Sequence, residues 1–459
     1  MKALKIVALV ICALLAGCSK KSPHAPILET TNGVLKKNFS HSWALPNGDG
    51  SFPDEQGMRF EGDPNKPFQF MSEEDFRDMG QMGWARVGIH WEDVETTKGV
   101  YDFTVYDFIA QGGADNGFGI VWVLGLENPV HGVSMINPPT TQATRDAYVD
   151  FALATIEYMA ANYGHVNMVF EIWNEPNIVN FWDAGCGSDV LCRADGYKLL
   201  AEDVGLAVRT HPDPAIRNTP LLLGSAAAGS NSTQRHLDFM DRVLAHQVSG
   251  SSVGALYNGW SFHPYRNNGE KPETMAGELN DIRQVLTNHG LGGSLALVTT
   301  EFGYQTKDPS APNYASAENR RRFLVRYWLY GAYEGLAIAG ESNWRGGIYE
   351  VDIQNGITDD VKALNTVLDQ LAGFSFARRV TEDADGNPLA SYEWVIDFTN
   401  GQETVTVGWT ENASRKFDIS AQNGKYTQTF ILGSSNTITA SGGRLTVTIG
   451  KNPRYWRAK

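Results

Sequence analysis

Val166-Asn167-Met168-Val169-Phe170-Glu171-Ile172-Trp173-Asn174-Glu175-Pro176 is a short, mostly apolar run, rich in β-branched residues, that closes on a carboxylate. Runs of this kind mark a strand covered on both faces, as in a parallel sheet. The same pattern returns in Leu295-Ala296-Leu297-Val298-Thr299-Thr300-Glu301-Phe302-Gly303, which closes on Glu301. Each glutamate therefore stands at the C-terminal end of a predicted strand.

Working outward, strand and helix patterns alternate. Strands are expected over 34–42, 85–90, 119–124, 166–173, 221–225, 257–262, 295–300 and 336–340. Helices are expected from Ser72, which opens one with a capping residue and early acidic charge, and over 102–116, 141–163, 193–210, 233–247, 272–288, 315–333 and 361–371. Strands separated by helices of this length argue for βα units, and eight of them predict an α/β fold, a (β/α)8 barrel over 34–372. An open doubly wound sheet is the alternative, weakened because no Gly-rich phosphate fingerprint follows an early strand. In a barrel, active sites are built at the C-terminal face of the strands, which would bring Glu175 and Glu301 to one cleft. The first strand is the weakest of the set, since Lys36-Lys37-Asn38-Phe39-Ser40-His41 lacks an apolar run. The Gly-, Pro- and Asp-rich stretch 43–71 is expected to form one wall of the cleft.

Near Phe374 the texture changes. Asp385-Gly386, Asn400-Gly401 and Asn423-Gly424 separate short alternating runs such as Tyr392-Glu393-Trp394-Val395-Ile396. Such turn pairs are hairpin signals, so 373–459 reads as a small antiparallel β-sandwich. It is expected either to buttress the barrel or to bind glycan.

The formal net charge of −14 argues against a sequence-independent grip on nucleic acid or an anionic membrane surface, both of which need basic patches. A neutral substrate fits better. At the N-terminus, Lys2 and Lys5 precede an apolar stretch too short for an ordinary transmembrane helix, so 1–17 reads as an export signal. Leu15-Ala16-Gly17-Cys18 resembles a bacterial lipobox, which implies cleavage before Cys18, its lipidation, and a polar tether over 18–33 holding the protein at the cell envelope. An ordinary secretory signal is the alternative. Cys186 and Cys192 lie close together in an exported chain, and no third or fourth ligand stands nearby, so a local disulfide is expected rather than a metal site.

Two facing carboxylates are what hydrolysis of a glycosidic bond requires. Trp173-Asn174-Glu175-Pro176 resembles the acid/base motif of the retaining glycoside hydrolases of clan A, especially families 39 and 5, and Thr300-Glu301-Phe302-Gly303 is similar to their nucleophile motif. Phe262-His263-Pro264-Tyr265 resembles their sixth-strand motif, and the segment from Ala85-Arg86-Val87 to Trp91 their second strand. Leu124-Gly125-Leu126-Glu127-Asn128-Pro129 lacks the histidine that many family 5 members carry after the third strand, which points to a family 39-like relative. The resemblance implies Glu301 as nucleophile, Glu175 as acid/base, and Asn174 as a partner of the sugar 2-hydroxyl. It also implies Arg86, His263 and Tyr265 around the substrate and the nucleophile.

Each residue also has a plainer reading. Arg86 could be a structural ion pair, His263 a satisfied core histidine and Tyr265 barrel packing. Trp344 is expected as a sugar platform or a core residue, with Trp91, Trp122 and Trp182 weaker candidates. No His-Glu-x-x-His, Gly-x-Ser-x-Gly or calcium-loop pattern is found, so neither a metal nor another cofactor is expected. The sequence thus predicts a monomeric, lipid-anchored, endo-acting retaining hydrolase of β-linked glycans. An exo-acting β-glycosidase or a noncatalytic glycan-binding envelope lipoprotein are the alternatives.

Overall fold

The computed structural model describes residues 39–43, 83–229, 233–267, 269–304, 309–311, 314–342 and 359–459. The expected export signal with Cys18, the tether, the 43–71 wall beyond Trp43, the helix opening at Ser72, and Trp344 lie outside the described residues.

Eight strands close into a parallel barrel: β1 (Phe39–Trp43), β2 (Gly83–Ile89), β3 (Gly119–Leu124), β4 (Met168–Ile172), β5 (Leu221–Gly229), β6 (Gly259–Tyr265), β7 (Ala296–Thr299) and β8 (Ile338–Ser342). β1 completes the circle by pairing with both β2 and β8, so even this poorly apolar segment has partners on either side. Around the barrel run α1 (Thr104–Asn116), α2 (Gln142–Tyr163), α3 (Val190–Arg209), α4 (Thr233–Leu244), α5 (Met275–Asn288), α6 (Ala317–Glu334) and α7 (Asp359–Leu371). Local chemistry sets their ends. The Thr141 hydroxyl accepts from Thr144 N ahead of α2, Asp189 accepts from Leu191 N and Cys192 N ahead of α3, and Gly335 closes α6 in the left-handed region. Among the described residues no helix is long and apolar enough to cross a membrane.

Two strands, β5 and β6, outrun their expected ends the furthest. β5 continues past Ser225 to Gly229 through a register shift between Leu223 and Ala226. Gly224 has φ +111, and a Cβ there would lie 2.6 Å from the Ser261 carbonyl, so the bulge needs glycine. β6 continues through Pro264 to Tyr265, because its pairing with β7 stops at Phe262 and no donor is wanted there beyond it.

Residues two apart on a strand share a face, and this builds the barrel interior in layers. Val121, Val169, Leu222, Val298 and Ile338 form one apolar cluster, with Trp84 against it. One step toward the C-terminal face, Trp84 is succeeded by Arg86, Val169 by Glu171 and Val298 by Thr300. The lumen thus changes from apolar to polar on approaching the cleft. Trp91, Trp122 and Trp182 are fully buried, which makes them core residues rather than sugar platforms.

Beyond the barrel come β9 (Ser375–Arg379), β10 (Glu393–Thr399), β11 (Thr404–Thr410), β12 (Arg415–Ser420), β13 (Gly424–Phe430), β14 (Ser435–Ala440), β15 (Arg444–Ile449) and β16 (Arg454–Ala458). They form a six-stranded antiparallel sheet in the order β9-β10-β11-β16-β13-β14, and β12 pairs separately with β15. Alternation along β10 decides both faces. Val395 joins Phe417, Ile419, Leu445 and Val447 beneath the small sheet, while Trp394, Ile396 and Phe398 belong to the core that includes the barrel. The Trp394 ring lies 5.2 Å from Tyr330 and 5.3 Å from Tyr333 of α6. Trp409 Nε1 donates to Glu273 Oε1 at 2.7 Å, and the buried Arg326 donates to both oxygens of the same carboxylate. The sandwich is therefore joined to the barrel by a continuous apolar core and by the hydrogen bond from Trp409 to the buried Glu273–Arg326 pair.

Candidate active site

The loop after β4 carries strained backbone. Trp173 and Glu175 both adopt left-handed conformations, with φ 64 and φ 43, and Ser225 opposite them on the β5 bulge has φ 43. Non-glycine residues pay about 1–3 kcal/mol each for such geometry, which persists only where neighbours impose it. Here Glu175 N donates to Ser225 O at 2.8 Å, Ser225 N donates to Ser261 Oγ at 2.8 Å, and Trp173 Nε1 donates to Phe181 O at 2.8 Å. Asn177 adds a two-point bridge to the backbone of Ala227. The expected disulfide is present: Cys186 and Cys192 are bonded, with Cα atoms 5.6 Å apart.

The two glutamates of the sequence reading converge. Acceptor atoms of Glu175 and Glu301 and a ring nitrogen of His263 all lie within 4.8 Å of one another. Both carboxylates are partly exposed, at 13% and 18% of the side chain, whereas the groups holding them are sealed in: Arg86 at 6% and His263 at 0%.

Glu301 is held from both sides. Arg86 Nη1 donates to Oε1 at 2.7 Å, and the Tyr265 hydroxyl donates to Oε2 at 2.8 Å. Burial works against its charge, but the His263 ring, Arg86 and Tyr265 outweigh burial and hold the carboxyl below the usual glutamate range. Glu175 Oε1 meets His263 Nδ1 at 2.8 Å, and Glu301 Oε2 lies 3.7 Å from the same nitrogen. For His263, burial alone would lower the pKa. The negative charges of Glu301 and Glu175 more than offset it, so the ring holds its proton more tightly than an ordinary histidine.

Asn174 Oδ1 accepts from Arg86 Nη2 at 2.9 Å, which commits the oxygen of its amide and leaves the NH2 as the donor end. Arg86 and His263 touch the carboxylates rather than open space. Both are buried, and both support the carboxylates. Tyr265 reaches Glu301 itself. His41 lies on β1, and Trp344 is outside the described residues.

Three members of the site escaped the sequence reading. Glu171, fully buried on β4, pairs with Arg86 at 2.6 Å and accepts from Thr300 Oγ1 at 2.9 Å. Thr300 Oγ1 also lies 3.0 Å from His263 Nε2. Ser225 Oγ lies 3.2 Å from Arg86 Nη2 and 3.4 Å from both Asn174 Oδ1 and His263 Nε2. A signal for Glu171 was present, since a carboxylate inside a doubly buried strand must find a charged partner. Ser225 had none, because its position depends on the bulge.

The trio Glu175, His263 and Glu301 has metal-ligating atoms, but its donors are already engaged. His263 is bonded through both nitrogens, and the Arg86 guanidinium sits where it neutralises Glu301, so a divalent cation beside it would be repelled. The arrangement is one carboxylate held ionised beside a second carboxyl hydrogen-bonded to an imidazole. It can attack an electrophilic carbon with one group while protonating a departing oxygen with the other.

No protein-family model matches the chain, and no curated protein does. Solved structures do. A family 39 glycoside hydrolase from the gut symbiont Bacteroides cellulosilyticus WH2 superposes with a TM-score of 0.67 at 16% identity, over 95% of this chain and 83% of that one. A family 30 endoxylanase from Clostridium papyrosolvens C71 gives 0.63 at 10% identity, over 96% and 98%. A monomeric beta-xylosidase from Caulobacter crescentus CB15 gives 0.61 at 14% identity, over 95% and 98%. This chain therefore shares the fold of those enzymes, a parallel barrel carrying antiparallel sheets.

Proposed function

We propose that the protein is a retaining hydrolase of β-glycosidic bonds. The observation that carries this reading is the approach of Glu175 and Glu301, with atoms within 4.8 Å, while Arg86 and Tyr265 hold Glu301 ionised. Inverting enzymes keep their carboxyl groups about 6.5–9.5 Å apart to admit a water, and retaining ones about 5–5.5 Å. The spacing here supports the second.

Glu301 attacks the anomeric carbon, and the bond to the leaving oxygen breaks as Glu175 supplies its proton. The product is a glycosyl ester on Glu301. Esterification removes the negative charge beside Glu175, which then takes a proton from water, and the resulting attack frees the sugar and restores Glu301. The amide NH2 of Asn174 donates to the 2-hydroxyl of the sugar, a contact that strengthens in the transition state.

The substrate is a β-linked polysaccharide or oligosaccharide, and two structural neighbours, an endoxylanase and a beta-xylosidase, make β-xylosides the first to test. Endo action is part of the proposal and rests on the sequences of the 43–71 stretch and the cysteine-bearing 181–193 loop, read as walls of an elongated cleft. So are a monomeric state and attachment to the cell envelope through Cys18. The test is product profiling on β-glucans, xylans, mannans and galactans with the parent, Glu175→Ala and Glu301→Ala. The reading expects a ladder of oligomers from the parent and none from either variant. Release of terminal monosaccharide alone would replace endo with exo action, and binding without hydrolysis by the parent would favour a glycan-binding lipoprotein.

A further inference from the structure

We propose that Thr300, backed by Glu171, is a positioning residue that fixes a proton on Nε2 of His263 and thereby keeps the acid Glu175 loaded. This rests on the reading of Glu175 as the acid/base.

Hydrogen-bond directions carry the argument. Glu171 is ion-paired with Arg86 and can only accept, so the Thr300 hydroxyl hydrogen is committed to Glu171 Oε1 at 2.9 Å. The Thr300 oxygen can then only accept from the ring, and the 3.0 Å contact places the hydrogen on His263 Nε2. Ser225 Oγ, 3.4 Å from the same nitrogen, can point its own hydrogen to Asn174 Oδ1 and compete for nothing. Thr300, Glu171 and His263 are all fully buried, so no solvent exchanges these roles.

With Nε2 protonated, the 2.8 Å contact between His263 Nδ1 and Glu175 Oε1 holds one proton, whether drawn as imidazolium and carboxylate or as imidazole and carboxylic acid. Removing that proton would leave a ring lone pair facing a carboxylate. A neutral histidine could escape by moving its hydrogen to Nδ1, but Thr300 opposes that tautomer. The charged groups around the ring are Glu175, Glu301 at 3.7 Å and Arg86, with Glu171 behind Thr300. Glu171 thus reaches both reacting carboxylates, through Arg86 to Glu301 and through Thr300 and His263 to Glu175.

Thr300→Val keeps the shape, deletes the hydroxyl and leaves the Arg86 contact of Glu171 in place. The expected result is an alkaline limb of the kcat/KM profile displaced to lower pH by about one unit. The displacement should be smaller in kcat/KM for a dinitrophenyl glycoside, whose leaving group needs no proton, and Thr300→Ser should restore the limb. A merely structural role would lower all rates together and leave the limb in place, which would overturn the proposal. An independent readout is the 15N resonance of the His263 ring in the parent, expected to show a protonated Nε2. An unprotonated Nε2 would overturn the proposal even if Thr300→Val fails to fold. The two readings fail separately: full activity in Glu175→Ala removes the acid/base role, whereas the tautomer is read without any turnover.

Discussion

Tyr265→Phe removes one oxygen and keeps the ring. That oxygen donates to Glu301 Oε2 at 2.8 Å, while Oε1 retains its 2.7 Å bond from Arg86. A hydrogen bond to an ionised group contributes about 1.5–3 kcal/mol, and about 1.4 kcal/mol corresponds to one pKa unit, so the Glu301 pKa should rise by about one to two units. Only the ionised form attacks, so the acid limb of kcat/KM against pH moves up by the same amount. The alkaline limb, which reports the Glu175–His263 pair, stays in place. The depressed pKa of Glu301 contributes stability above its unfolded value of about 4.3, lost as pH falls through the folded value. The variant should therefore be less stable than the parent above that pH, with the gap closing in acid. The assays are initial rates across pH on the best β-glycoside and thermal melts over the same range. A folded variant whose acid limb coincides with the parent's would refute the claim that Tyr265 keeps Glu301 charged.

Two further changes probe the scaffold. Glu273→Ala strands the buried Arg326 guanidinium and the Trp409 N–H, and should cost about 3–5 kcal/mol, seen as a melting temperature lower by about 5 °C or more; an unchanged melt would mean that this interface does not stabilise the barrel. Cys186→Ser with Cys192→Ser opens a short loop and should cost about 2 kcal/mol at most. Its kcat should change little, because Trp173 and Arg193 still hold the segment through Phe181 O, Asn177 O and Gly187 O. A large loss of kcat would place the disulfide in the geometry of the site.

The barrel was legible because most of its strands are apolar runs that alternate with helix patterns, and both signals are local. Both glutamates were legible for the same reason, each ending such a strand. The extent of β5 was not, since the expected strand stops at Ser225 and continues to Gly229 only through a bulge formed when β6 lies beside it. Ser225 and Thr300 were hidden because a serine or threonine on a strand is ordinary until its partners are known. The indoles of Trp91, Trp122 and Trp182 illustrate the opposite error: aromatic side chains near strand ends suit sugars and cores equally, and burial decided for the core.

The most direct test of the central claim is capture of the glycosyl ester. An activated 2-deoxy-2-fluoro β-glycoside slows release of the intermediate, and intact-mass measurement followed by peptide mapping locates the label. The account predicts one sugar added per chain, on Glu301, with Glu301→Ala unlabelled. A label on another residue, or an active parent that stays unlabelled and releases inverted product, would contradict it.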